Sequence, residues 1–233
     1  MIPKIIHQTS RTTDIPLQWR AYQATARTLH PGWDYHHWTD EENRLLVQRQ
    51  APGRLALYDS LPLAVMRADM IRYIYMHASG GLYFDFDFEF VKPFDLLDAR
   101  LVVPRQNDDG EAVSLGNAVL ASEPGHPFWN EVLDELETGI RGLGRTPLED
   151  DVVSLTGPGL VTRAYERHPY PELRYGRREE FNPAFFSPEE RAALVNAGRT
   201  YGIHHTDGSW RARTLAQRAR RKLALLRSRL RKP

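Results

Sequence analysis

Between Leu82 and Phe90 apolar and polar positions alternate along the chain. Leu82, Phe84, Phe86, Phe88 and Phe90 share one parity, and Tyr83, Asp85, Asp87 and Glu89 share the other. A period of two predicts a β-strand with one core face and one face of stacked carboxylates. The segment before it has a different signature. A helix is expected from about Ala64, with Ser60 and Pro62 at its cap and first turn and Gly80-Gly81 at its end. Upstream, residues 2–9 predict a short buried strand with Pro3 at its start. Residues 16–29 predict a helix with Trp19, Tyr22, Ala26 and Leu29 on one stripe. Trp33, Tyr35 and Trp38 alternate as a second strand, and Thr39 to Glu42 has the pattern of a helix N-terminus. Downstream, strands are expected at 101–103, 114–121 and 201–205, a polar loop at 106–111 and a helix at 126–140. Helices that alternate with short strands predict an α/β fold around a central sheet, with ligands at the carboxyl ends of the strands.

Composition adds bounds rather than chemistry. The 233 residues suit one domain with or without a tail, and 41% apolar residues supply a sizeable core. There is no cysteine, which excludes disulfides and thiolate metal sites and fits a cytoplasmic protein. The N-terminal residues lack the charged and apolar regions of a signal peptide. The net charge of +1 hides an asymmetry: ten of the 31 basic residues and none of the 30 acidic ones lie in 211–233. The expected organisation is therefore a domain at 1–210 and a basic tail at 211–233. In that tail Leu215, Ala219, Leu223, Leu226 and Leu230 form one helical stripe among cations. A basic amphipathic helix of this kind suits an anionic membrane surface. Nucleic acid is the rival partner, but an apolar stripe has no use on a phosphate backbone, so no specific nucleic acid is expected.

The carboxylate row carries the chemistry. On one strand face, residues i and i+2 lie roughly 6.5–7 Å apart, where like charges repel. A divalent cation removes that repulsion and prefers oxygen ligands. Asp69 and Arg72 are three residues apart on one helical face, and the short Gly-Gly turn should fold them back near Asp85 and Asp87. His36 and His37 are adjacent, point apart, and are expected to serve as surface or packing residues.

Arg67, Asp69 and Arg72, followed by Gly80, Gly81, Tyr83, Asp85 and Asp87, form R-x-D-x-x-R and G-G-x-Y-x-D-x-D. This spaced set resembles glycosyltransferase family 32, which includes fungal α-1,6-mannosyltransferases and bacterial polysaccharide enzymes and is related to the large glucosylating toxins. The opening IPKIIHQT, the Thr156-Gly157-Pro158 turn and the closing histidines with Ser209 and Trp210 resemble the same family. The resemblance implies a GT-A-type nucleotide-sugar-binding fold with a mixed central sheet flanked by helices and a basic C-terminal helix. It implies a retaining transferase that uses Mn²⁺ or Mg²⁺, a UDP- or GDP-sugar donor, and a glycan or lipid-linked acceptor. Cell-surface polysaccharide or glycolipid synthesis at the inner face of the membrane would be its setting.

By that resemblance Asp87 is the first-choice direct metal ligand. Asp85 would bind metal through water or hold the donor, and His204 or His205 would add a further ligand. Asp69 and Arg72 would grip donor sugar hydroxyls, Arg72 near the diphosphate. Tyr83 would pack beside the nucleotide. His7, Gln8, Thr9 and Asn117 are donor-contact candidates, and Trp210 would cover the leaving diphosphate beside Ser209. No nucleophile is identifiable; Asp150 and Asp151 precede the Thr-Gly-Pro turn. Two other readings remain open. A different metal enzyme on phosphate esters, such as a nucleotidyltransferase or hydrolase, explains the carboxylates but not the Asp69–Arg72 pairing. A non-catalytic membrane or nucleic-acid binding module explains the tail but not the acidic row.

Overall fold

The computed structural model describes residues 1–107, 111–183, 186–206 and 208. The chain runs β1 (Ile5–Thr9), α1 (Leu17–Leu29), β2 (Asp34–Trp38), α2 (Asp40–Gln50), α3 (Leu55–Ser60), α4 (Ala64–Ala78), β3 (Gly81–Phe84) and β4 (Phe88–Phe90). It continues with β5 (Leu101–Pro104), β6 (Val119–Ser122), α5 (Phe128–Gly142), α6 (Val152–Leu155), α7 (Pro158–Arg167), β7 (Leu173–Gly176), α8 (Arg178–Phe181), α9 (Pro188–Asn196) and β8 (Gly202–His204). The main sheet has six strands in the order β2-β1-β3-β6-β5-β7. Pairs β1–β2, β1–β3 and β5–β7 are parallel, and β6 is antiparallel to both its neighbours. The sheet is therefore mixed, as expected. β4 and β8 form a separate antiparallel pair in which Phe88 faces His204.

Both faces of the main sheet are covered. Tyr83, Leu101, Val103 and Leu120 pack with Met70, Tyr73 and Ile74 of α4 and with Trp129, Val132 and Leu136 of α5. Ile6, Leu82, Phe84, Val102 and Ala121 pack on the other side with Ala26 of α1, Phe88 and Phe90 of β4, and Phe181 and Tyr201. Phe84, Phe88 and Phe90 form a tight trio, with ring centroids 4.8 Å apart for Phe84–Phe90 and 4.9 Å for Phe88–Phe90. Burying each such ring contributes roughly 1.5–3 kcal/mol.

The helix before β3 ends where its glycines stand. Gly80 and Gly81 have φ of +63° and +95°. Both are also close approaches: a Cβ on Gly80 would lie 2.5 Å from the Ser122 carbonyl, and one on Gly81 would lie 2.5 Å from that of Ile5. The turn thus presses the end of α4 against β6 and β1. The helix start differs from expectation. Ser60 closes α3, where its hydroxyl donates to the Leu57 carbonyl, and α4 begins at Ala64 with no side-chain cap. The expected cap at α2 does form, with Thr39 and Glu42 bonding each other's backbone amides.

The strand over 82–90 is a correction. β3 ends at Phe84, the Phe88 amide donates to the Asp85 carbonyl across a turn at 3.0 Å, and β4 leaves in the other sheet. Two aspartates in succession on one parity are poor strand formers, and the turn removes them from the sheet. The apolar parity survives because Phe88 and Phe90 return to the core that Phe84 enters. Tyr83 is buried as well, so β3 has no solvent face. β6 begins later than the expected 114–121: upstream of Val119, Leu115 forms an isolated antiparallel bridge with Arg105, and the Gly116 amide donates to the Pro104 carbonyl at 2.7 Å.

Candidate active site

The turn after β3 gathers what a strand would hold apart. Asp85, Asp87 and His204 each offer one ligand atom, and these atoms lie within 4.8 Å of one another. The Asp85 amide donates to the Ala118 carbonyl at 2.8 Å, and the His205 amide donates to the Asp87 carbonyl at 2.8 Å. The turn is therefore fastened to the sheet at one end and to the end of β8 at the other. His204 Nε2 lies 3.3 Å from Asp87 Oδ1. Burial lowers the pKa of that imidazole, but the Asp87 carboxylate outweighs it and the net shift is upward. Of the two adjacent histidines, His204 joins the group. His205 Nε2 is 2.9 Å from Glu89 Oε2, and its ring stacks on Tyr22.

Arg72 joins this group to α4. Its Nη1 lies 3.1 Å from Asp85 Oδ1 and donates to the Asn117 carbonyl at 2.8 Å. Its Nη2 lies 3.1 Å from Asp69 Oδ1, and its Nε donates to the Ala68 carbonyl. The guanidinium also sits over the Tyr83 ring, 4.7 Å from its centroid. Burial works against the Arg72 charge, but Asp85, Tyr83 and Asp69 together outweigh it and the pKa rises. Tyr83 donates its hydroxyl to Asp85 Oδ1 at 2.6 Å. Burial raises the Asp85 pKa, and Arg72 opposes that rise.

Asp69 is the most enclosed of the carboxylates, at 4% exposure. Oδ1 accepts from Asn117 Nδ2 at 3.0 Å, and Oδ2 accepts from the Thr156 hydroxyl at 2.9 Å. Burial pushes its pKa up to about 6 against the pull of Arg72. Asn117 Nδ2 also reaches the Tyr73 hydroxyl, which in turn donates to the Thr156 carbonyl. Sequence reasoning placed Thr156 in a family-like turn without a role for its hydroxyl, and it missed Tyr73. The buried Thr156 hydroxyl belongs to a turn that local pattern gives no partner, and its carboxylate partner is 87 residues away.

The donor-contact candidates on β1 have partners within the fold. His7 is 1% exposed, with Nε2 on the Gly80 carbonyl and Nδ1 accepting from Trp38 Nε1. Burial lowers its pKa to about 4, so it is a neutral core imidazole. Gln8 accepts from the Tyr35 hydroxyl and donates to the Phe84 carbonyl. Thr9 accepts from Asn43 Nδ2 and donates to the Trp38 carbonyl. All three side chains are engaged inside the fold, and the parallel β1–β3 pairing sets the end of β1 beside the end of β3. Asp151 pairs with Arg145, and Asp150 is exposed. Ser209, Trp210 and the tail at 211–233 lie outside the described residues. Among the described residues no helix is long and apolar enough to cross a membrane.

The residues present fit a divalent cation. Two of the carboxylates, Asp69 and Asp85, share the Arg72 guanidinium, and Asp87 stands against His204, so the group gathers more carboxylates than fixed cations. Two aspartate oxygens and an imidazole nitrogen are a donor set that Mn²⁺ accepts.

Residues 16–103 match the family of glycosyltransferase sugar-binding regions that contain a DXD motif. The chain is similar to inositol phosphoceramide mannosyltransferase 2 of Schizosaccharomyces pombe, with 33% identity across 90% of this chain and 58% of that protein. It is also similar to the mannosyl phosphorylinositol ceramide synthase CSH1 of Saccharomyces cerevisiae, with 36% identity across 59% of this chain and 36% of that protein. These matches span 58% or less of the relatives' own length. Among solved structures, the PaToxG glycosyltransferase superposes with a TM-score of 0.56 over 84% of this chain and 74% of its own, at 18% identity. The fold is thus of the GT-A type. Asp69, Arg72, Asp85 and Asp87 all lie within the segment that matches the DXD-containing glycosyltransferase family.

Proposed function

We propose that this protein is a divalent-metal-dependent hexosyltransferase that moves a sugar from a nucleotide-sugar donor to a lipid-linked or glycan acceptor. The observation that carries the reading is the convergence of Asp85, Asp87 and His204 beside the Asp69–Arg72 pair. Asp85, Asp87 and His204 would hold Mn²⁺ or Mg²⁺. When bound, the cation supplies Lewis-acid stabilisation of the charge that develops on the leaving diphosphate.

The chain's own groups do the rest. Asp69 accepts up to about four hydrogen bonds as a carboxylate and keeps capacity for a donor sugar hydroxyl beside those it makes. Arg72 fixes Asp69 and Asp85 in one frame, so the sugar and the diphosphate are held in fixed relation. Tyr83 packs against the guanidinium and orients Asp85 through its hydroxyl. The reading includes retention of anomeric configuration, which the family resemblance implies.

The two fungal relatives are named for mannose transfer to an inositol-bearing sphingolipid. That supports mannose as the sugar and a phosphoinositol-type lipid headgroup as the acceptor. The basic, leucine-striped residues 211–233 would bring the enzyme to an anionic membrane that carries such an acceptor. A screen of UDP- and GDP-sugars with Mn²⁺, with and without inositol-bearing lipids, tests the reading. Turnover of a mannose nucleotide and mannosylation of the lipid are expected. Cleavage of non-sugar phosphate esters with no nucleotide sugar consumed would overturn it.

A further inference from the structure

Helix α1 supplies no ligand to the acidic group, yet it touches both backbone segments that do. Phe86 stands between Asp85 and Asp87 at the apex of the turn and is 5% exposed. Its ring stacks on Trp19 of α1, with centroids 5.7 Å apart and planes 7° from parallel. The edge of His37, on β2, closes another side at 4.8 Å. One helical turn further along α1, Tyr22 stacks on His205 with centroids 4.7 Å apart and planes 1° from parallel. His205 follows the ligand His204, donates its amide to the Asp87 carbonyl and pairs with Glu89. Trp19 and Tyr22 are three residues apart and lie on one helix face. The same face therefore grips the turn through Phe86 and the end of β8 through His205.

The grip opposes a real force. Asp85 and Asp87 are like charges on a tight turn, and without a cation they repel. Planar rings stacked face to face resist the rotation that would splay them, and a flexible aliphatic side chain does not.

We propose that Trp19 and Tyr22 are positioning residues for the Asp85–Asp87–His204 group, holding its two backbone segments in the register at which the three ligand atoms converge. The proposal rests on the divalent-metal reading above. It adds α1 as the element that sets metal affinity from outside the ligand set. Sequence pattern assigns both residues to an ordinary helical stripe, and their contacts give that stripe a second task.

The test uses the full chain and Mn²⁺ alone, without donor, with binding measured by calorimetry and by the free-ion paramagnetic signal. The variants are Trp19→Leu, Tyr22→Leu, Trp19→Phe and Tyr22→Phe, with Asp87→Asn as the control that removes a ligand. Loss of a group that orients metal ligands weakens affinity by about 10- to 100-fold, and each leucine variant should show such a loss. The phenylalanine variants keep a stacking face and should bind near the wild-type level. Thermal midpoints measured without metal report whether each variant folds. If Trp19→Leu does not fold, Tyr22→Leu decides, because its side chain is only half-buried. Folded leucine variants that bind Mn²⁺ like the wild type overturn the proposal, as do phenylalanine variants that fail to restore binding. A wild-type chain that binds no Mn²⁺ overturns the metal reading itself, and the proposal with it.

Discussion

Arg72 Nη1 lies 3.1 Å from Asp85 Oδ1, and Nη2 of the same guanidinium lies 3.1 Å from Asp69 Oδ1. One planar cation thus spans a helical carboxylate and a turn carboxylate while bonding the Asn117 carbonyl. Lysine cannot reproduce this, because its ammonium is a single point and the fork has fixed directions. Arg72→Lys should lower sugar transfer by about 100-fold, the cost of a misplacement near 1 Å. Arg72→Met leaves the buried Asp69 and the half-buried Asp85 without their cation and should lower unfolding free energy by about 3 kcal/mol. Urea melts and steady-state rates check both. A lysine variant with wild-type kcat and KM would show that the fork is not needed.

Thr156 reaches Asp69 from the far side of the site. Thr156→Val keeps the shape and removes the hydroxyl. A hydrogen bond to a charged group is worth about 1.5–3 kcal/mol, so donor KM should rise or kcat fall by a matching factor. Thr156→Ser should restore most of the loss. Equal rates for the valine and serine variants would remove the hydroxyl from the account.

The two late histidines separate cleanly. His204 stands 3.3 Å from Asp87, whereas His205 stands against Glu89 and Tyr22. His204→Ala should reduce Mn²⁺ affinity more than His205→Gln, which keeps a hydrogen-bonding group toward Glu89. The reverse order, measured by Mn²⁺ titration, would transfer the ligand role to His205.

How far such roles were legible depends on range. Asp69 and Arg72 were legible because three residues on a helix make one face, and their meeting with Asp85 followed from the short Gly-Gly turn. The break at Asp85 was not, since the alternation of buried and polar positions runs through the turn unchanged. His7 sits in a strand whose two faces are both covered, and a strand of five residues does not reveal which side is core. The choice between His204 and His205 depends on the β4–β8 register, in which Phe88 faces His204, and local pattern carries no register between distant strands. Thr156 and Tyr73 meet Asn117 and Asp69 only through tertiary packing.

The buried imidazole of His7 makes stability depend on pH. Its pKa falls from 6.5 to about 4 on folding. Between those values the unfolded chain binds a proton that the folded chain refuses, so stability rises with pH through that window. The contribution is complete above about pH 6.5 and is lost as pH falls toward 4, roughly 3 kcal/mol in all. Burial lowers the pKa values of His30, His37, His77 and His126 as well, and they add in the same direction. Asp69, whose pKa rises to about 6 on folding, works the other way in the same window. The His7 contribution is therefore read as a difference: between pH 7.5 and 4.5, urea midpoints of His7→Gln should fall less, or rise more, than those of the wild type. An unchanged slope in that variant would contradict a neutral native His7.

The central claim is that the converging side chains of Asp85, Asp87 and His204 use a divalent cation to cleave a nucleotide sugar. Its most direct measurement is donor hydrolysis by the full chain, titrated with Mn²⁺ after exhaustive chelation, for the wild type and for Asp87→Ala. No turnover is expected in chelator, with saturable recovery on adding Mn²⁺ and a folded Asp87→Ala protein that Mn²⁺ does not rescue. Turnover that persists in chelator, or an Asp87→Ala protein that responds to Mn²⁺ like the wild type, would contradict it.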